Sequence, residues 1–308
     1  MKRAVITGPT GAVGVALIEE LVRNDYFVYA IVRPGSRRIA NIPKHKQVQV
    51  IACDLKELSS LPALIQERCE LFFHLGWQGT TGAARDDMKL QLENIEYTLD
   101  AVDAAKALGC RRFIGAGSQA EYGRTEKRLN ASVETFPENG YGIAKLCAGQ
   151  MSRIRCSQEQ MEHIWVRILS VYGPYDGKQS LVMSVIGKLL RGEDVALTKG
   201  EQFWDYIYAK DAARALLALA KAGKDQKTYC IGSGMAKPLR EYIQEIQSRI
   251  PTNGKLLFGE IPYGANQVMH LCADISDLIE DTGFQANYSF EQGIAETIEW
   301  VKENDEKN

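Results

Sequence analysis

Long apolar runs are missing from this chain of 308 residues. No stretch reaches the ~18 residues that a membrane-spanning helix requires. An excess of charge of one sign is missing too. The 37 Lys and Arg against 39 Asp and Glu leave a formal charge of −2, so no nucleic-acid or membrane-surface partner is expected. The seven cysteines (Cys53, Cys69, Cys110, Cys147, Cys156, Cys230 and Cys272) are odd in number, scattered, and lack a CxxC pair. Neither a disulfide framework nor a zinc site is expected of them, and reduced thiols are the plain reading. The four histidines (His45, His74, His163 and His270) have no ligand spacing, so no metal is implied. The apolar stretch after Met1-Lys2-Arg3 ends at Thr7-Gly8, too soon for a signal-peptide core. These absences describe a cytoplasmic protein without internal repeats or low-complexity segments.

What is present is ordinary globular material, 45% hydrophobic and 25% charged. Its length suits two domains, or one large α/β domain with an appended lobe. Ala4-Val5-Ile6-Thr7 has the pattern of a strand buried on both faces. Gly8, Gly11 and Gly14 follow, and then Val15–Val22 has helical spacing. Strand, glycine turn and helix together make a dinucleotide-binding motif, because the glycines admit a pyrophosphate to the unpaired N–H groups of the helix start. Tyr26–Val32 reads as a second strand. An acid at its end would bond the ribose 2′-hydroxyl of NAD, but no Asp or Glu lies between Asp25 and Asp54. That interval holds Arg33, Arg37, Arg38, Lys44 and Lys46. Arginine suits a 2′-phosphate through its charge and planar donor fork. NADP(H) is therefore favoured over NAD(H), with Arg33 first and Arg37 or Arg38 as helpers. A third strand, Val48–Cys53, ends in Asp54, placed to meet an adenine amino group.

Further buried-strand patterns run over Glu70–Gly76 and Arg112–Ser118, separated by helical periodicity from about Met88 to Leu108, which Gly109 closes. Alternating strands and helices predict a doubly wound parallel sheet, a Rossmann architecture. Ser118 would then stand at the strand edge where ligands sit. Tyr141 and Lys145, four apart, share a helix face. A lysine beside a phenol favours the phenolate and lets it exchange a proton near neutral pH.

This constellation resembles the extended short-chain dehydrogenase/reductases, specifically the NAD-dependent epimerase/dehydratase family. The resemblance rests on the glycine pattern of Thr7–Gly14, Asp54-Leu55, Phe73-His74-Leu75-Gly76, and Asn94 with Thr98. It continues through Ser118 with Glu121-Tyr122-Gly123, Tyr141 with Lys145, Arg167 with Val171–Pro174, Asp205–Tyr208 and Asp211-Ala212-Ala213. It implies that Ser118 holds the substrate oxygen, Tyr141 is the general acid/base, Lys145 binds the nicotinamide ribose and Asn94 supports the site. Cofactor contacts are implied for Gly8, Thr10, Gly11, Val13, Gly14, Arg33, Arg37, Asp54, Leu55, Leu75, Gly76, Tyr141 and Lys145. His74 reads as a hydrogen-bonded strand-end histidine, since the family assigns proton transfer to tyrosine.

Departures from the family's pattern bear on substrate. The 4,6-dehydratases carry Asp-Glu after the serine, whereas this chain has Gln119-Ala120, which disfavours water elimination. Trp204 stands where nucleotide-sugar enzymes commonly place a diphosphate-clamping arginine, and it serves either to stack on a base or sugar or as a packed lobe residue. Lys178, Lys188, Arg191 and Lys199 are alternative sources of positive charge. The expected layout is a dinucleotide-binding domain over 1–171 and a smaller α/β substrate lobe over 172–308, with the final helix packing back on the first domain. The leading expectation is an NADPH-dependent reductase of a nucleotide-linked 4-keto-6-deoxy sugar, with Ser118, Gln119 and Trp204 toward the substrate. The alternatives are a nucleotide-sugar epimerase with tightly held NAD and a non-catalytic NADP-binding regulator. A homodimer is expected from the family.

Overall fold

The computed structural model describes residues 1–305. The apolar run at the start forms β1 (Lys2–Thr7), whose Ala4, Val5, Ile6 and Thr7 are fully buried. The chain continues through α1 (Ala12–Arg23), β2 (Tyr26–Val32), β3 (Val48–Ala52), α2 (Leu61–Leu64), β4 (Leu71–His74) and α3 (Met88–Ala107). Then come β5 (Arg112–Ser118), α4 (Gly140–Gln158) and β6 (Glu162–Ile168). Burial on both faces is what a parallel sheet sandwiched by helices demands. All of its pairings are parallel.

The sheet has seven strands in the order β11-β6-β5-β4-β1-β2-β3, where β11 is Thr228–Ile231. Order reverses between β1 and β4, which opens a crevice at their C-terminal ends. The expected doubly wound sheet is thus the observed one. The boundary expected at residue 171 is not a simple cut. The chain leaves through β7 (Ser170–Tyr172), α5 (Leu181–Leu190), β8 (Val195–Leu197), β9 (Phe203–Trp204) and β10 (Tyr206–Tyr208). It then returns with α6 (Ala209–Ala222), whose Ala212, Ala213 and Leu216 share a core with Leu17, Ile18 and Leu21 of α1. The sheet needs that return, because β11 pairs with β6 from Thr228↔Trp165 to Ile231↔Ile168.

The smaller lobe is completed by β12 (Lys237–Pro238), α7 (Leu239–Ser248), β13 (Leu256–Phe258), α8 (Ser276–Thr282) and α9 (Phe290–Asp305). Its core joins Val185, Ile186 and Leu189 of α5 to Tyr242, Ile243 and Ile246 of α7. Ile294, Ile298 and Val301 of α9 belong to the same cluster, so the apolar face of this helix packs on the lobe. Trp300, by contrast, lines a cavity together with Ala12, Val15 and Glu19 of α1.

Two buried aspartates fasten the lobe segments. Asp205 accepts from Ser233 N at 2.7 Å, Gly234 N at 3.1 Å and Ala273 N at 3.0 Å. Asp211 accepts from Asn287 N and Tyr288 N, both at 2.9 Å, and pairs with Arg214. A buried carboxylate survives only with this degree of satisfaction.

Beneath the sheet's C-terminal edge, the Trp165 indole lies against three glycines. A Cβ at Gly115, Gly117 or Gly149 would fall 2.4, 2.4 and 2.6 Å from its atoms, respectively. The missing side chains make the slot that lets α4 approach β5. No helix among the described residues is long and apolar enough to cross a membrane.

Candidate active site

The glycine turn is built for close approach. Gly8 has φ +69°, and a Cβ there would lie 2.8 Å from Gly76 N. Gly14 packs under the turn, where a Cβ would meet Gly8 O at 2.4 Å. Gly11 is the N-cap of α1 and gives it no side-chain cap, and the first turn carries no acid. The orphan N–H groups of the helix start are therefore available to an anion.

A groove of about 240 Å³ runs from this turn to the ends of β2 and β3. Gly8, Thr10, Arg33, Asp54, Leu55 and Gly76 are on its wall. Ser36 and Arg38 join them. Arg37 is not among the lining residues, so of the two helpers it is Arg38 that faces the groove. Gly11, Val13, Gly14 and Leu75 lie off this wall. Val13 and Leu75 instead pack against the core of the first domain. The Asp54 carboxylate caps the short turn that follows it, accepting from Lys56 N at 3.3 Å. A glycine cradle, an uncapped helix start and two arginines at the far end fit a dinucleotide.

Of the other expected residues, Ser118 and Tyr141 come together. Ser118 ends β5, and its hydroxyl accepts from Ala120 N at 3.2 Å. Its own N–H donates to Glu121 Oε1 at 2.8 Å, closing a capping box. Asn139 caps α4 by accepting from Gly142 N at 2.8 Å. Gly142 lets the helix sit on Ala120, whose carbonyl oxygen would be 2.3 Å from a Cβ there. Tyr141 is thereby buried beside Ser118. Burial pushes its phenol up, while the Ser118 hydroxyl and the Arg85 guanidinium pull it down.

Lys145 shares the α4 face but turns away from the phenol. Its Nζ donates to Ala116 O at 2.6 Å and lies 3.7 Å from the centre of the Trp77 ring, against 5.8 Å for the Tyr141 ring. Burial holds this amine down at about 7, with Glu121 opposing. The cation over Tyr141 is Arg85, 4.4 Å from the ring centre. Neither Arg85 nor Trp77 stands out in the sequence. One sits in a short 3-10 turn, Gly82–Asp86, without a motif, and the other directly follows the Phe73–Gly76 segment.

Asn94 is buried in α3, and its amide is spent on backbone. It accepts from Gln78 N at 2.8 Å and donates to Gln78 O at 3.0 Å and Leu90 O at 2.9 Å. It pins the loop after β4 and makes no bond to Tyr141. Gln119 is half-buried next to Ser118. Trp204 is half-buried in the lobe and donates to Ser170 Oγ at 2.8 Å. A further cavity of about 650 Å³ lies elsewhere, at the lobe junction between Arg38, Tyr175, Lys188 and Trp300.

A family model for the NAD dependent epimerase/dehydratase family matches residues 4–232. The chain belongs to that family. Among its relatives, the UDP-N-acetyl-alpha-D-glucosaminuronate decarboxylase of Bacillus cytotoxicus is 25% identical over 98% of this chain and 98% of its own. The UDP-N-acetylglucosamine 4-epimerase of Methanobrevibacter ruminantium, solved with UDP-N-acetylmuramic acid, superposes with a TM-score of 0.88 at 22% identity, covering 98% of this chain and 99% of that one. The UDP-glucuronic acid 4-epimerase of Bacillus cereus, solved with NAD, gives 0.84 at 20% identity, covering 99% and 98%. At these identities the two structures speak to the fold of an epimerase/dehydratase family member. Among the described residues there is no cluster of three or more His, Cys, Asp or Glu able to hold a metal.

His74 is the structural histidine that the sequence suggested. Nδ1 meets Thr7 Oγ1 at 2.9 Å and Nε2 meets Thr98 Oγ1 at 3.4 Å. Burial, and then nearby Lys145, push it down to about 3, and burial and then Arg153 do the same for His163, with Asp225 opposing. In the unfolded chain both titrate near 6.5. Between those values the unfolded chain binds more protons, so stability is full above about 6.5 and is lost as pH falls. Urea unfolding free energies from pH 7.5 to 5.5 are therefore expected to decline, with a slope approaching ~1.4 kcal/mol per pH unit for each histidine below 6.5. His163→Gln should roughly halve that slope. A flat profile across the range refutes this account.

Proposed function

We propose that this protein is an NADPH-dependent reductase of a nucleotide-linked 4-keto-6-deoxy sugar. The observation that carries the reading is the adenosine end of the groove, where Arg33 and Arg38 stand and no acid follows β2. A 2′-phosphate suits that charge, and a ribose hydroxyl lacks its usual acceptor. The nucleotide-sugar part rests on the family and on relatives named for UDP-linked sugars. When bound, the dinucleotide supplies the hydride.

The chain's own residues manage the oxygen and its proton. Ser118 holds the substrate oxygen through its hydroxyl. Tyr141, kept protonated by burial, donates to that oxygen as negative charge develops on it. Arg85 stabilises the phenolate left behind. Gln119-Ala120 offers no carboxylate beside Ser118, so the chain lacks the acid and base for eliminating water there. Trp204, bonded to Ser170 and packed against two apolar clusters, takes the place of an arginine fork.

The epimerase reading is favoured by the names of the structural relatives, and one of those was solved with NAD. It predicts protein purified with bound dinucleotide and no net NADPH consumption. A homodimer is proposed through the outer faces of α3 and α4, where Met88, Leu92, Ile143, Met151 and Ile154 are exposed. Sedimentation equilibrium should show a dimer that Ile154→Lys dissociates, and a monomeric wild type removes this proposal.

For the reaction, Tyr141→Phe is expected to slow keto-sugar-dependent NADPH oxidation by roughly 10²- to 10⁴-fold while leaving NADPH binding in place. A variant as active as wild type overturns the mechanism. For the cofactor, Arg33→Asp should weaken NADPH relative to NADH by about ten- to a hundredfold, the worth of a charged hydrogen bond. Equal preference before and after the change, measured by titration of both dinucleotides, would sink the 2′-phosphate argument.

A further inference from the structure

The adenosine groove reaches Trp77 and Gln78, but its lining includes neither Ser118, Tyr141 nor Lys145. Trp77 stands between the two halves. Its ring centre is 3.7 Å from Lys145 Nζ and 6.1 Å, edge-on, from the Tyr141 ring. Its indole N–H donates to Gln91 Oε1 at 2.9 Å. Gln91 is itself buried and fixed, its amide donating to Gly79 O at 3.0 Å and Ala84 O at 2.9 Å.

The backbone on either side of Trp77 is pinned. Gly76 N donates to Thr7 Oγ1 at 3.0 Å, and both backbone groups of Gln78 are held by Asn94. Movement at this point is therefore rotation of a side chain and not displacement of a loop. A ligand that ends at the pyrophosphate of a dinucleotide has no group that must meet Lys145, so it leaves the indole in place. A ligand whose far end must meet Lys145 and Tyr141 has to turn the indole away. That breaks a cation–π contact made in a dry site and a hydrogen bond to a buried amide.

We infer that Trp77 gates the nicotinamide half of the site, so that the dinucleotide is held mainly by its adenosine half and exchanges readily. This rests on the proposed dinucleotide site and deepens it. A cofactor consumed at each turnover must leave at each turnover, and a gate that opposes the reacting end favours release. An enzyme that recycles one bound dinucleotide gains nothing from such a gate.

Calorimetric titration of the full chain tests this with two pairs of probes, NADPH with 2′-phospho-ADP and NADH with ADP. Within the tighter pair, wild type should bind the dinucleotide and its half-ligand within about threefold of each other. Trp77→Ala should tighten the dinucleotide by roughly ten- to a hundredfold and leave the half-ligand within about twofold. Trp77→Phe keeps a ring over Lys145 and loses the bond to Gln91, so it should fall between the two. If wild type already prefers the dinucleotide by more than about tenfold and neither variant tightens it, the gate is refuted and the groove reading stands. If no probe binds wild type, the dinucleotide reading falls and the gate falls with it.

Discussion

The carboxylate of Glu121 is fully buried, and the site above it depends on how that charge is satisfied. Oε1 accepts from Ser118 N at 2.8 Å and from Trp165 Nε1 at 3.0 Å. Oε2 takes Arg167 Nε at 2.6 Å. An ion pair this deep is stable only with its hydrogen bonds complete, and breaking one partner away costs about 3–5 kcal/mol. Arg167 Nη1 has no hydrogen-bond partner, but the guanidinium lies 4.6 Å over the Tyr122 ring. Through these contacts one buried charge sets the end of β5, the seat of α4 and hence the distance between Ser118 and Tyr141.

Much of this was legible in the sequence because backbone geometry and residue type coincide there. Gly8 needs positive φ, β1 needs apolar residues on both faces, and Tyr141 and Lys145 share a face wherever 140–158 is helical. Five of the seven strands, β1 to β5, follow from the same pattern, whereas β6 was not anticipated and neither was β11. That four-residue strand lies inside the segment assigned to the lobe, and only its pairing with β6 reveals its place. His74 was read as a structural histidine because the family assigns proton transfer to tyrosine, and the partners that satisfy its ring, Thr7 and Thr98, emerge only from the fold.

The rest depends on distances that no spacing rule conveys. Whether Arg37 or Arg38 faces the groove is decided by a short turn, where Ser36 accepts from Arg38 N and Arg38 reaches Tyr175 O at 2.8 Å. Asn94 has the residue type of a site group, but its amide is consumed by the loop it anchors. Arg85 approaches Tyr141 from a turn tied to the start of α4 by Asp86, which accepts from Gly140 N at 2.9 Å. The charge next to the phenol therefore comes from a segment 56 residues before it in the chain, and not from the lysine one turn away. Neutral overall composition hides all of these placements.

The indole slot under the sheet couples positions that are far apart in the chain. Gly115, Gly117 and Gly149 come from a strand and a distant helix, and each leaves room that Trp165 fills. None of the three can carry a side chain while the indole keeps its place. Among diverging relatives the four positions are therefore expected to change together or not at all, whatever happens to the chemistry above them.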